Sequence, residues 1–208
     1  MTDPVKVSVI YYSAFGTVAE LAGTLADEAE KAGAEVRLRK VPELASDAAI
    51  DAIPVWRANT DATRDIPVAS SDDVAWADAV LFGTPTRFGN VSAQLKMFID
   101  GLGHLWQQGL LQDKVYSGFM ASSTLHGGQE STLLALYNSI HHIGGIVVSP
   151  GYTDPSKFVD GNPYGTSHVS GKSEKKPVDD ITRMAAAVQA KRVVAVAESL
   201  RDGRAARA

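Results

Sequence analysis

The sequence contains no cysteine among its 208 residues. The chain therefore has no disulfide framework, no thiol nucleophile and no thiolate metal ligand. No apolar run approaches the ~20 residues that are needed to cross a bilayer. The N-terminal residues MTDPVKVSV lack the charged and then apolar pattern of a secretory leader. We therefore expect a cytoplasmic protein that does not insert into a membrane.

Neither positive nor negative charge strongly predominates in this chain. The net charge is −4, and the 20 Lys and Arg residues are scattered along the sequence. No basic patch indicates nucleic-acid binding. An apolar fraction of 45% is ordinary for a globular protein with a hydrophobic core. The sequence predicts a single domain over residues 1–201, with insertions at about 42–73 and 149–177 and a frayed tail at 202–208.

Strand and helix patterns alternate along the chain. Strands are predicted at residues 5–12, 36–41, 79–83, 115–121 and 146–148. Helical spacing of apolar residues is found at 18–29, 92–102, 130–143 and 178–200. This alternation is typical of βαβ units, which form a parallel sheet covered by helices on both faces.

Short polar segments follow three of the predicted strands, at residues 13–17, 83–90 and 122–130. In an open parallel sheet, ligands bind beyond the carboxyl ends of the strands. The first segment also precedes a helix, whose free N–H groups and dipole favour a phosphate. Ser13 and Thr17 can add hydroxyl donors, and the turn contains no Lys or Arg. A neutral phosphate site is therefore predicted at this turn, with an ordinary capped turn as the alternative.

Several nucleotide-binding and catalytic motifs are missing from these segments. The first turn has neither the G-x-G-x-x-G dinucleotide pattern nor a P-loop. No G-x-S-x-G nucleophile elbow is present. The strand ends also lack the acidic residues of a phospho-accepting receiver domain. The remaining description suits a mononucleotide such as FMN.

The segments YYSAFGTVAELA, GTPTRFGN, HGGQE and GNPYG resemble those of the WrbA-type NAD(P)H:quinone oxidoreductases of the flavodoxin-like superfamily. This resemblance implies an α/β fold, a flavodoxin-like doubly wound sheet of five parallel strands in the order 2-1-3-4-5. It also implies bound FMN, a homotetramer, and two-electron reduction of quinones by NADH or NADPH.

The resemblance also implies roles for individual residues. The residues that match the family's FMN phosphate turn are Ser13, Ala14, Phe15, Gly16, Thr17 and Val18. Those that match its flavin-ring contacts are Thr86, Arg87, Phe88, Gly89, Asn90, Ser123, Thr124, Leu125, His126, Gly127 and Gly128. His142, rather than His141, matches a histidine that reaches the FMN of another subunit. Phe15 takes the nicotinamide position, where the family commonly has tyrosine, and Trp106 matches the quinone pocket.

We expect the flavin to carry the hydride chemistry, so no catalytic protein residue and no metal site are predicted. His141 and His142 are adjacent on a helix and point apart, which argues against a shared metal. The hypothesis is a ping-pong cycle in which NAD(P)H and a quinone use one pocket in turn. The alternatives are a flavodoxin-type electron carrier and a regulatory flavoprotein without its own turnover. A net charge of −4 is weak for a carrier that docks basic partners.

Overall fold

The computed structural model describes residues 3–171 and 176–206, which contain six strands and nine helices. The strands are β1 (Lys6–Tyr11), β2 (Glu35–Lys40), β3 (Ala79–Pro85), β4 (Val115–Ser122), β5 (Ile146–Val147) and β6 (Thr166–Val169). The helices are α1 (Thr17–Lys31), α2 (Asp47–Asp51), α3 (Pro54–Ala62), α4 (Ser71–Trp76), α5 (Ala93–Asp100), α6 (Gly103–Gln107), α7 (Gln129–His142), α8 (Lys157–Asp160) and α9 (Asp180–Ala205).

The strands form one parallel sheet in the order β2-β1-β3-β4-β5. The predicted flavodoxin-like fold class and strand order are therefore confirmed. Strand β1 lies between β2 and β3 and is buried on both faces. Val7, Val9 and Tyr11 pack with α1 and α9, while Ile10 packs on the opposite face. Helices consequently cover both faces, and the carboxyl ends of β1, β3 and β4 meet at one edge.

The edge beside β4 differs from the prediction, because two short strands share it. β5 pairs with the start of β4, at Val115 and Tyr116, and β6 pairs with its end, from Phe119 to Ser122. Gln189 of α9 bridges β4 and the start of β6. Its amide nitrogen donates to Ser117 Oγ and Gly118 O, and its oxygen accepts from Thr166 N. The predicted insertion 149–177 therefore contains a strand that extends the sheet towards the ligand-binding edge.

The predicted insertion 42–73 is helical over much of its length. Ser46 caps α2 by accepting from Ala49 N, and Pro54 occupies the first turn of α3. Ser70 and Asp73 form a capping box at the start of α4. These are recognisable helix starts, but each helix is too short to show a clear apolar period.

The chain's last helix is longer than the sequence predicted. α9 extends to Ala205, so residues 202–205 are helical rather than frayed. The helix contacts α1, and in its last turns Arg201 and Arg204 donate hydrogen bonds to the carbonyl oxygens of Asp3 and Asp113. Residues 172–175 of the predicted insertion and residues 207–208 of the predicted tail lie outside the described residues.

Candidate functional site

The turn after β1 leaves the start of α1 open. Gly16 precedes the helix with φ 93°, a left-handed conformation that glycine adopts without a Cβ penalty. No side chain in residues 3–171 and 176–206 caps α1, and the first N–H groups of a helix have no intrahelical partner. Ser13 Oγ accepts from Gly16 N at 3.1 Å and holds the turn closed. This arrangement can bind an anion with backbone amides and hydroxyls and without a cationic side chain.

The loop after β3 forms a tight hairpin that presents one aromatic ring. Arg87 N donates to Asn90 O at 2.8 Å, and Asn90 N donates back to Arg87 O at 3.1 Å. Phe88 and Gly89 between them both have positive φ, 54° and 77°. Phenylalanine seldom adopts this conformation, and the Phe88 side chain is fully exposed. An exposed aromatic held in a strained turn indicates a contact surface rather than a packing role.

The loop after β4 is packed against the hairpin. Gly128 precedes α7 with φ 99°, and a Cβ there would lie 2.8 Å from Thr86 Oγ1 and 3.0 Å from Gly89 Cα. Thr132 of α7 donates to Thr86 Oγ1 at 2.8 Å. His126 also has a positive φ, 58°, and its N–H is bound by Gln129 Oε1. Gly128 therefore allows the two loops to approach closely.

A small cleft of about 90 Å³ lies between the first turn and the strand ends. Of the predicted site residues, eight line it: Ser13, Ala14, Phe15, Thr17, Val18, Thr86, Arg87 and Ser123. The others on the same three segments flank the cleft without lining it: Gly16, Phe88, Gly89, Asn90, Thr124, Leu125, His126, Gly127 and Gly128. The cleft admits a small polar group such as a phosphate. A flavin ring would have to lie on the exposed rim, where Phe15, Phe88 and Leu125 are found.

Four residues that line this cleft were not among the predicted cofactor contacts: Pro85, Ala121, Ser122 and Ser170. Pro85 and Ser122 end β3 and β4 and lie within the polar segments 83–90 and 122–130, and Ala121 directly precedes the second of these segments. Ser170 follows β6, a four-residue strand with no clear periodic signal, and its hydroxyl donates to Ser122 O at 3.1 Å. The GNPYG motif just before β6 was the available signal for this part of the site.

Among the residues that the structure describes, Arg87 is the one charged residue that lines the cleft. Its Nη1 donates to Thr86 O at 3.0 Å, and it forms no ion pair with the described residues. Tyr12 lies close by. Burial raises the pKa of Tyr12, its hydrogen bond to Glu43 raises it further, and Arg87 works in the opposite direction. The tyrosine is therefore a neutral hydrogen-bond donor at physiological pH.

His142 and Trp106 lie away from the cleft of their own chain. Together they line a second cavity of about 550 Å³ beside Lys96, Leu111 and Asn138. His142 ends the 14-residue helix α7, whose first turn adjoins the cleft, so the histidine is roughly 20 Å along that helix. His141, its neighbour, does not line the cavity. Trp106 lies within α6 and is 52% exposed.

No helix in residues 3–171 and 176–206 has the length and apolar character of a membrane span. Within the same ranges, no cluster of three or more His, Asp or Glu side chains is arranged to hold a metal ion.

Comparison with known proteins places these features in context. Residues 6–157 match the family of NADPH-dependent FMN reductases. A protein of Deinococcus radiodurans named NAD(P)H dehydrogenase (quinone) is 45% identical over 80% of this chain and 84% of its own length. A protein of the same name from Geotalea daltonii is 39% identical over 94% and 98%. The crystal structure of a WrbA-like flavodoxin from Agrobacterium tumefaciens superposes with a TM-score of 0.65 at 25% identity, covering 94% of this chain and 98% of that one.

Proposed function

The chain belongs to the family of NADPH-dependent FMN reductases, and we propose that it is an FMN-dependent NAD(P)H:quinone oxidoreductase. Curated relatives that are 35–45% identical carry the name NAD(P)H dehydrogenase (quinone). The observation that carries the proposal is the uncapped start of α1 beside a cleft rich in hydroxyls, with exposed aromatic residues on its rim.

The residues of the cleft fit the phosphate end of FMN. The first amides of α1 are free, and Gly16 permits the sharp entry into the helix. Ser13, Thr17, Thr86, Ser122 and Ser123 add hydroxyl groups around the same space. Backbone N–H groups bind a phosphate well in such a position because the helix dipole also favours a negative charge. The predicted phosphate residues 13–18 would thus hold the group that anchors the cofactor.

Phe88, Gly89, Asn90 and the segment 123–128 would flank the flavin ring, as the family resemblance implies. When bound, FMN supplies the hydride acceptor and donor, which this chain's own side chains cannot provide. The protein's part is to orient flat substrates. Phe15 and Phe88 offer ring faces, and stacking contributes about 0.5–1.5 kcal/mol beyond the area buried. Because one rim serves both substrates, NAD(P)H and the quinone would bind in turn, which gives ping-pong kinetics.

We also propose that the active enzyme is a homotetramer. Support comes from the distance between the cleft and the His142–Trp106 cavity within one chain. Both residues are exposed at the cavity, so a neighbouring copy could bring them against another chain's flavin. Light scattering should then report four copies of the 22.0 kDa chain. A monomer at micromolar concentration would contradict this arrangement.

Two further expectations belong to the same proposal. Packing of α9 on α1 and of both on the sheet supports a single folding unit over residues 1–201. A cytoplasmic location would give the enzyme access to the NAD(P)H pool. Fractionation of cells that express the protein, with a cytoplasmic marker as the reference, would test the location.

Rapid mixing under anaerobic conditions tests the function. NADH or NADPH should bleach the bound flavin in a single turnover, and added benzoquinone should restore the oxidised spectrum. The electron-carrier alternative predicts slow bleaching in the absence of a partner reductase. Bound flavin that stays oxidised with both nucleotides would reject the oxidoreductase function.

A further inference from the structure

The carboxylate of Glu43, just after β2, is a meeting point for five hydrogen-bond donors. Tyr12 Oη and Trp56 Nε1 donate to Oε2 at 2.9 and 3.3 Å. Gln94 Nε2 donates to Oε1 at 3.0 Å, as do the backbone N–H groups of Leu44 and Ala45 at 2.7 and 3.1 Å. Its three side-chain partners come from three different parts of the chain. The contact set therefore connects the end of β1, the helix α3 and the start of α5.

Each of these side-chain partners adjoins a wall of the cleft. Tyr12 directly precedes the phosphate turn. The Trp56 ring meets the Phe15 ring edge-on, with centroids 6.1 Å apart and planes at 84°. Gln94 lies in the first turn of α5, which follows the Phe88 hairpin. Glu43 thus fixes the turn and the hairpin side of the site relative to each other.

A second contact joins the same helix to the turn. Asn59 Nδ2 donates to the carbonyl oxygen of Ser13 at 2.7 Å. Trp56 and Asn59 are three residues apart in α3 and so lie on one face of that helix. This face supports the turn from Ser13 to Phe15, whose other hydrogen bond within the described part of the chain runs from Gly16 N to Ser13 Oγ.

We propose that Glu43 and Asn59 are positioning residues of the cofactor cleft, through which the inserted segment 43–59 holds the turn 13–16 in its ligand-binding geometry. Neither residue lines the cleft itself. The proposal goes beyond the proposed function by assigning a task to the insertion, and its functional part rests on that cleft being the FMN site.

A carboxylate is required at this position because every surrounding group donates. Partial burial works to raise the pKa of Glu43, but hydrogen bonds from Ala45, Gln94, Tyr12 and Leu44 outweigh it and lower the pKa below its usual range. Glutamine in its place would turn an N–H₂ group either towards Tyr12 and Trp56 or towards Gln94. Trp56 Nε1 in the first orientation, or the N–H groups of Leu44 and Ala45 in the second, would then face another donor, because these groups cannot accept a hydrogen bond. The size of the side chain stays the same.

The test compares Glu43→Gln and Asn59→Ala with Arg57→Gln. Arg57 lies in the same helix and pairs with Asp47 and Asp51, with no contact to the turn. We expect both test variants to weaken FMN binding about fivefold, the effect of losing roughly one ordinary hydrogen bond. The KM for NAD(P)H should rise by a similar factor with kcat within twofold. Arg57→Gln should keep wild-type values even where its thermal midpoint falls.

Hydrogen exchange on the FMN-free protein tests the positioning role of Glu43 and Asn59 independently of the proposed function. Amides of residues 13–18 should exchange faster in Glu43→Gln and Asn59→Ala, and at the wild-type rate in Arg57→Gln, whether or not FMN binds anywhere. Failure of the wild type to bind FMN would therefore reject the proposed function alone. Unchanged exchange at 13–18 in both test variants would overturn the positioning role, as would an equal increase in Arg57→Gln.

Discussion

The cleft at the strand ends and the His142–Trp106 cavity differ in how they are built. The cleft results from the strand topology, because the carboxyl ends of the parallel strands lie at one edge of the sheet. The cavity is formed by the far end of α7 together with α5 and α6. One chain therefore contains the proposed cofactor cleft and, roughly 20 Å along α7, the residues that we propose complete the cleft of another copy. The comparison teaches that residues which one family resemblance assigns to a single site can lie far apart within one chain.

The largest effect should come from filling the close approach between the two loops beside the cleft. In Gly128→Ala, a methyl group would meet Thr86 and Gly89 in a left-handed backbone conformation that costs about 1–2 kcal/mol. We expect about 2 kcal/mol lower stability, at least tenfold weaker FMN binding, and a thermal midpoint lower by about 4–8 °C.

Gly23→Ala is the matched control for that substitution. Gly23 lies inside α1, and a Cβ there meets nothing within 4 Å. This variant should be neutral or up to about 1 kcal/mol more stable, because alanine favours a helix. Equal FMN affinity in Gly128→Ala and the wild type would show that the packing of the two loops does not shape the site.

The second prediction concerns the His142–Trp106 cavity. If His142 reaches a neighbour's flavin, His142→Ala should weaken FMN binding of the tetramer about fivefold, as expected for one lost hydrogen bond. His141→Ala should have no effect, because His141 is exposed and lies outside the cavity. Titrations of FMN fluorescence measure both. Identical affinities for the two variants would indicate that the cavity does not complete the cleft.

A third substitution separates stability from function at the rim of the cleft. Phe88 has φ 54° and is fully exposed, and asparagine tolerates that backbone conformation better. Phe88→Asn should therefore raise the free energy of unfolding by about 0.5–1 kcal/mol. It should also raise the quinone KM several-fold, since a stacking face is lost. A more stable variant with unchanged quinone kinetics would remove Phe88 from the proposed substrate surface.

The smallest effect on FMN binding is expected at Asp73, which lies away from both the cleft and the His142–Trp106 cavity. Burial works to raise the pKa of Asp73, but hydrogen bonds from Ser70 and the charge of Arg39 outweigh it, so the pKa is lowered. A lowered pKa in the folded state adds stability above the unfolded value of about 3.9, and this is lost as the pH falls through the folded value.

Asp73→Asn should accordingly show a shallower loss of stability below about pH 5 than the wild type. Its FMN affinity at pH 7 should match the wild type, because Asp73 touches neither the cleft nor the cavity. Urea unfolding at a series of pH values measures the slope. Parallel curves for the two proteins would assign the acid sensitivity to other groups.

The sequence predicted those parts of the molecule that repeat a clear pattern. The central strands and the long helices carry continuous apolar periods, and the three ligand segments follow directly from strand ends. Strand β6 and the short helices α2, α3 and α4 were not predicted, because their apolar patterns extend over too few residues to be recognised. Ser170 was missed together with β6. The roles of Glu43 and Asn59 depend on tertiary contacts across 31 and 46 positions of the chain, which no local pattern records.

The most direct test compares FMN with riboflavin in calorimetric titrations of the FMN-free protein. If the uncharged turn 13–18 grips the phosphate, FMN should bind at one site per chain and at least 100-fold more tightly than riboflavin, since several charge-assisted hydrogen bonds depend on that group. Equal affinities for the two compounds, or no heat with FMN, would contradict the account.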